Sequence, residues 1–432
     1  EFAALLDAGQ ADGWRYALSA LDSGRNPKLA ATLVADAVTR ERLPDQLQAW
    51  LAFGGLAQKL DDRALASRIV AQVIERFPGE PRVALLHASQ LREDGKPDEA
   101  RAVLAGLEAA TRASSGLRLS VAAEYEAMGD AKAAAEVLAR GAQDDRSYRL
   151  RASLLARAGD REALSALYEA LLRDSAKPDP ARRLLLGQVA EFLERREDAL
   201  RWYQGVPGGD ERWDAALRAA SVLHALHRGD EAYASLKALE AQAEADDDTR
   251  RDAYLLEAEL RNDDGDDAGE LDAYARGLAA FPDDSALLYA RGLAWERRDD
   301  ITRAEADLRR ILVAEPDNVA TLNALGYTLA DRTTRYTEAL ELIDRARVAE
   351  PDNAAIIDSY GWVLYRLGRN EEALVQLRRA YALQKDPEIA AHLGEVSWVT
   401  GDHEAARRWF DESRKLDPSN RALQRALEKT GA

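Results

Sequence analysis

One small residue returns every thirty-odd positions along most of this chain. Counted back from the C-terminal end it stands at Gly394, Gly361, Gly326, Gly292, Ala258, Ala220, Gly187, Ala152, Ala122, Ala88 and Gly54, at spacings of 33, 35, 34, 34, 38, 33, 35, 30, 34 and 34. A period of this length confines the chain to a stack of similar units. No unit can bury its apolar side alone, so each neighbour must cover it. The unit is plainest between Asn353 and Asn420. There Tyr360-Gly361, Leu364, Gly368, Ala373, Leu377 and Ala380 are answered by Leu393-Gly394, Gly401, Ala406, Phe410 and Ser413, closing on Asp417-Pro418. Apolar residues at three- and four-residue steps predict two helices per unit. The small residue lets them cross closely. A later glycine, lacking a Cβ, turns the backbone between them, and proline stops the second.

This pattern resembles the tetratricopeptide repeat. The resemblance implies an all-α fold, with helix-turn-helix repeats forming a right-handed superhelical solenoid of about twelve units. Degenerate repeats are expected over 1–212, an irregular transition over 213–250, and near-consensus repeats over 251–432, all in one continuous solenoid. The cluster Gly205-Val206-Pro207-Gly208-Gly209 is the best place for a bend, since neither Gly nor Pro continues a helix. The unit from Trp213 is expected to carry a long second helix rich in Ala and Glu, ending at Asp246-Asp247-Asp248. The last helix, about Asn420 to Lys429, reads as a solvated cap. At the other end Phe2, Leu5 and Leu6 share one side of a helix. That helix is either a repeat fragment or cap, or an amphipathic arm that docks on a partner.

The 432 residues carry a formal charge of −18 and no cysteine. Nucleic acid is a poor partner for such a chain, because neutralising phosphates needs a basic face. Disulfides, thiolate metal sites and cysteine nucleophiles are excluded. No apolar run is long enough to span a membrane. The chain opens on Glu1-Phe2 and not on Met, so any signal peptide or lipid-anchoring segment would lie upstream.

Nothing in the sequence points to an enzyme, a cofactor or a metal. The nucleotide-binding glycine motifs, the serine-hydrolase elbow and the zinc-protease HExxH are all absent. His224 and His227, three apart on an expected helix, would supply two ligands and no third. Asn262-Asp263-Asp264-Gly265-Asp266-Asp267 has its glycine at the fourth place, where a calcium loop needs it at the sixth. It reads as an acidic turn.

Binding is the function left. First helices line the concave face of a helix-pair stack, and their groove-facing positions give Tyr289, Arg297, Asn323, Tyr327, Asp358, Trp362, Tyr365, Arg366 and Trp398, with Glu296, Asp331 and Glu395 beside them. Aromatic rings offer contact area at small entropic cost, and Arg or Asn can grip carboxylates and backbone amides. Packing within the stack is the competing role for the same rings.

Three segments in succession, Asn323-Ala324-Leu325-Gly326-Tyr327, Asp358-Ser359-Tyr360-Gly361-Trp362 and His392-Leu393-Gly394-Glu395-Val396, resemble a group of long tetratricopeptide lipoproteins of Gram-negative outer membranes. In Pseudomonas, members of that group partner a periplasmic carboxy-terminal processing protease. The resemblance implies a non-enzymatic adaptor, lipid-anchored on the periplasmic face of the outer membrane. It would recruit that serine protease and present peptidoglycan hydrolases for degradation. The alternative is a scaffold for another envelope complex, such as polysaccharide secretion or pilus assembly. A cytoplasmic chaperone-binding module would need Lys and Asn pairs in successive repeats, and these are absent.

Overall fold

The computed structural model describes residues 14–15, 18–19, 27–39, 43, 46–60, 62–173 and 179–432. Phe2, Leu5 and Leu6 lie outside them. The described residues are helical or in turns, with no strand among them. They fall into two compact units, Glu1–Leu226 and His227–Ala432. Unit 1 holds α1 (Pro27–Thr39), α2 (Leu47–Lys59), α3 (Arg63–Arg76), α4 (Pro81–Glu93), α5 (Pro97–Ala105), α6 (Glu108–Ala113), α7 (Ser115–Ala127), α8 (Ala131–Leu138), α9 (Asp145–Arg157), α10 (Arg161–Arg173), α11 (Pro180–Phe192), α12 (Arg196–Gln204) and α13 (Glu211–Ala225). Unit 2 holds α14 (Gly229–Glu240), α15 (Asp247–Asp263), α16 (Asp267–Ala280), α17 (Ser285–Arg297), α18 (Ile301–Ala314), α19 (Val319–Arg332), α20 (Tyr336–Ala349), α21 (Ala354–Arg366), α22 (Asn370–Leu383), α23 (Pro387–Val399), α24 (His403–Leu416) and α25 (Arg421–Thr430).

The α21–α22 pair shows how the sequence builds a repeat. Asn353 starts α21 by accepting hydrogen bonds from the Ala355 and Ile356 amides at 3.1 and 3.4 Å, which satisfies N–H groups the helix itself cannot. Gly368 ends it at φ +79°, and the next amide, Arg369, closes back on the Leu364 carbonyl at 2.9 Å. Between these ends Gly361 faces α22 so closely that a Cβ would sit 2.8 Å from Leu377 Cγ. Ala373, Leu377 and Ala380 are wholly buried on the answering face. Burying a leucine contributes about 1.5–3 kcal/mol, so the stripe outweighs any single cap.

Three expectations fail locally. His224 lies in α13, but His227 sits beyond its end in a left-handed turn at φ +60°, so the two do not share a helix face. The second helix after Trp213 stops at Glu240, and Asp246 opens α15 by accepting from the Thr249 amide at 2.6 Å. The last helix is not merely solvated. Ala422, Leu423 and Ala426 of α25 are buried, and its Arg425 and Lys429 reach inward.

Candidate functional site

Within unit 2 the first helices of successive repeats share one register. Three residues before each small residue stand Tyr289, Asn323 and Asp358. One residue after it stand Leu293, Tyr327, Trp362 and Glu395, and five after it stand Arg297, Asp331 and Arg366. Steps of four keep these columns on one helical face. The columns meet across the stack: Tyr327 on α19 donates to Glu388 Oε1 on α23 at 2.6 Å, passing over α21.

Two cavities open on this face. The first, about 260 Å³, is lined by Tyr289, Leu293, Asn323, Tyr327, Asp358 and Glu388 among others. The second, about 200 Å³, is lined by Asp331, Trp362, Arg366, Glu395, Arg425 and Lys429 among others. A wall of hydrogen-bonded side chains lies between them. His392 Nδ1 donates to the Asp358 carboxylate at 3.0 Å, and Nε2 lies 3.4 Å from the Tyr327 hydroxyl. Trp362 stacks on the imidazole at 4.0 Å between centroids and donates its indole N–H to Asp331 Oδ1 at 3.2 Å.

The electrostatics of that wall decide what it can do. Burial opposes charge on His392, but the Asp358 carboxylate overrides it, helped by Glu388 and Asp331, and the imidazole is pushed up to about 9. Burial and the Glu388 carboxylate push the Tyr327 hydroxyl well above the usual tyrosine range. The Asp358–His392–Tyr327 chain has the outline of a proton relay. An imidazolium with both nitrogens protonated at neutral pH cannot accept a proton, and a phenol held this high is no nucleophile. Ser359 beside it donates its hydroxyl to the Ala355 carbonyl at 3.0 Å. The arrangement holds shape and charge on the inner face. Among the described residues no group of three or more His, Cys, Asp or Glu side chains could hold a metal ion.

The other sequence-predicted residues fall as follows. Arg366 donates to the Asp331 carbonyl at 3.2 Å and to the Tyr336 hydroxyl at 2.9 Å. Tyr365 donates to Glu395 Oε1 at 2.9 Å. Arg297 reaches back a repeat to the fully buried Glu270 at 2.5 Å. Trp398 lines neither cavity. It packs against the Phe410–Leu423 cluster under α25, edge-on to His403 at 4.3 Å.

Sequence reading did not assign His392, Glu388, Arg425 or Lys429 to the groove. The signal for His392 was available: a titratable ring two residues before Gly394, with Glu388 four residues before it and Glu395 three after it on one helical face. Unit 1 holds a larger cavity, about 900 Å³, which sequence reading also passed over. Leu47, Leu51, Leu85, Leu86 and Leu117 of α2, α4 and α7 line it together with polar residues that include Gln58, Glu80, Arg82 and Glu124.

The tetratricopeptide repeat family matches residues 255–319, 289–354, 328–387 and 360–421. A tetratricopeptide-repeat-containing protein of Pseudomonas aeruginosa is 40% identical over 210 residues, taking in 49% of this chain and 35% of the relative. The matched region is thus about a third of that relative's length. Among solved structures, yeast Tom70 is 14% identical at a TM-score of 0.48, over 98% of this chain and 96% of its own. A tetratricopeptide repeat protein from Parabacteroides merdae is 14% identical at 0.45, over 61% of this chain and 99% of its own. Among the described residues no helix is long and apolar enough to cross a membrane.

Proposed function

We propose that this tetratricopeptide-repeat protein, a scaffold for protein–protein interaction, serves as an adaptor in the envelope of a Gram-negative cell. It recruits a periplasmic carboxy-terminal processing serine protease and brings peptidoglycan hydrolases to it, from a lipid anchor on the outer membrane. The observation that carries the binding role is the inner face of unit 2. Two adjoining cavities there are lined by aromatic, amide and charged side chains, over a wall in which Asp358 holds the His392 imidazole at 3.0 Å. The segments around Asn323, Asp358 and His392 supply the particular partner, through their resemblance to the outer-membrane lipoproteins.

Tethering suffices as mechanism. Holding protease and substrate on one scaffold raises their effective mutual concentration to order millimolar without any bond chemistry by the scaffold. The test is degradation of a purified hydrolase by the purified protease with and without this chain. The expected result is a faster reaction with it. Equal rates, together with capture of secretion or pilus subunits from envelope extracts, would transfer the reading to another envelope scaffold.

A further inference from the structure

The two cavities on the inner face of unit 2 differ in one respect: one contains cationic side chains and the other does not. In the second cavity Arg332 and Arg366 of the first helices are joined by two cations of the C-terminal helix. Arg425 of α25 donates to Asp331 Oδ2 at 2.7 Å, ninety-four residues away in sequence, and Lys429 donates to Glu395 Oε1 at 2.6 Å. Asp331 and Glu395 are nearly buried, and these cations partner them. The chain itself thus shows that this face takes Arg and Lys side chains presented on a separate segment.

The first cavity is also acidic, and its carboxylates are met by His392, by backbone amides and by a tyrosine hydroxyl instead of by Arg or Lys. Asp358, Asp386 and Glu388 line it, and no lysine or arginine does so among the described residues. The His392 imidazolium sits behind Asp358 in the wall and offsets one of the three charges. Asn323 also lines the cavity, and its Oδ1 is buried without a hydrogen-bond donor. Tyr289 and Tyr327 contribute aromatic rings, suited to a flat cation. A volume of about 260 Å³ lies below the usual range for drug-sized ligands, and fits one long side chain on an extended backbone.

We infer that the cavity between α17, α19, α21 and α23 receives an arginine side chain from an extended, basic segment of a partner protein. The occupant is a partner and not a second copy, because a chain of net charge −18 repels itself. Charge complementarity sets the encounter, and the carboxylates of Asp358, Asp386 and Glu388 set the choice of side chain. This inference rests on the protein-binding role but not on the identity of the protease.

The test is calorimetric titration of the whole chain with a capped, extended decapeptide bearing one central arginine, and with its lysine, citrulline and glutamate counterparts. Arginine is expected to bind most tightly, citrulline about tenfold more weakly, and glutamate not at all. Glu388→Gln keeps the shape and the Tyr327 acceptor, so it is expected to weaken the arginine peptide about tenfold. Glu404→Gln, on the exposed side of α24, is expected to change nothing. Thermal melting of both variants, unchanged from the parent, shows that the fold is intact. Equal binding of arginine and citrulline peptides, or arginine binding indifferent to Glu388→Gln, overturns the inference. If the arginine peptide fails to bind while the chain still accelerates hydrolase degradation, the cavity assignment falls and the adaptor role stands. If the peptide binds and degradation is not accelerated, the reverse holds.

Discussion

Units 1 and 2 use one helical register for two different inner faces. Three residues before the small residue, the repeats around the unit 1 cavity carry Leu51 and Leu85, and those around the first unit 2 cavity carry Tyr289, Asn323 and Asp358. Unit 1 accordingly sets a group of leucines among polar residues such as Gln58, Glu80 and Arg82 around its cavity, and unit 2 lines its cavities with aromatic, amide and charged groups. The backbone repeat therefore fixes where an inner side chain points, and the residue chosen there fixes what it costs and what it can hold. A leucine wall is tolerant, since each side chain acts nearly alone. A wall of buried charges is not, since removing one member strands another.

The sharpest break in that comparison is Asp358→Ala. It leaves the His392 cation buried without its carboxylate, and unit 2 is expected to lose about 3–5 kcal/mol in chemical denaturation. Leu85→Ala in the unit 1 cavity removes a side chain already partly wet and is expected to cost about 1 kcal/mol or less. Comparable losses in the two units would remove the distinction.

Unit 2 is also expected to depend on alkaline pH. The folded His392 is pushed up to about 9 from an ordinary value of 6.5. The folded state therefore binds its proton more tightly than the unfolded chain does. That stabilisation is fully present below pH 6.5 and is lost as pH rises through 9, a loss of about 3 kcal/mol. Glu240, raised to about 7 by burial and by Glu257 beside it, gives unit 2 a second loss with the same sign between pH 4.5 and 7. Hydrogen exchange of α19–α23 amides at pH 6 and pH 9.5, read against α2–α4, checks this; a matched slope in both units contradicts it.

A smaller effect concerns the crossing of helix pairs. Ala88, Ala122, Ala152 and Ala258 fill the small-residue position in some repeats, yet Gly394→Ala would set a Cβ 2.3 Å from Phe410 Cε1, as Gly187→Ala would against Tyr203. Gly394→Ala is expected to lower stability by about 1–3 kcal/mol, measurable by thermal melting. The smallest change is a gain in both units. Glu194 and Asp299 occupy the left-handed turn that Gly159 and Gly368 hold elsewhere, at φ +60° and +62°. Glycine at either is expected to stabilise by about 0.5–1 kcal/mol, the relief of strain outweighing glycine's freedom in the unfolded chain.

The fold was legible because an apolar stripe with a 34-residue period admits few alternatives. The turns were legible wherever glycine marked them, and Asp299 shows where that signal lapses. The end of α14 was hidden because Ala241 to Ala245 are mostly good helix formers. The chain breaks there without Gly or Pro, and Asp246 begins the next helix by capping it. The inner-face columns could be read from steps of four, whereas their pairing could not. Asp358 and His392 sit at different register positions, so their contact depends on how α21 leans on α23. The basic residues of α25 looked solvated because nothing local to that helix shows Asp331 waiting ninety-four residues away.

The central claim is that unit 2 holds other proteins on its inner face. Hydrogen–deuterium exchange of the whole chain, alone and saturated with the purified protease, addresses both the binding and its place. Slowed exchange is expected across α17, α19, α21 and α23, with the outer helices α18, α20 and α22 unchanged. Unaltered exchange throughout unit 2, with the protease bound elsewhere or not at all, would contradict it.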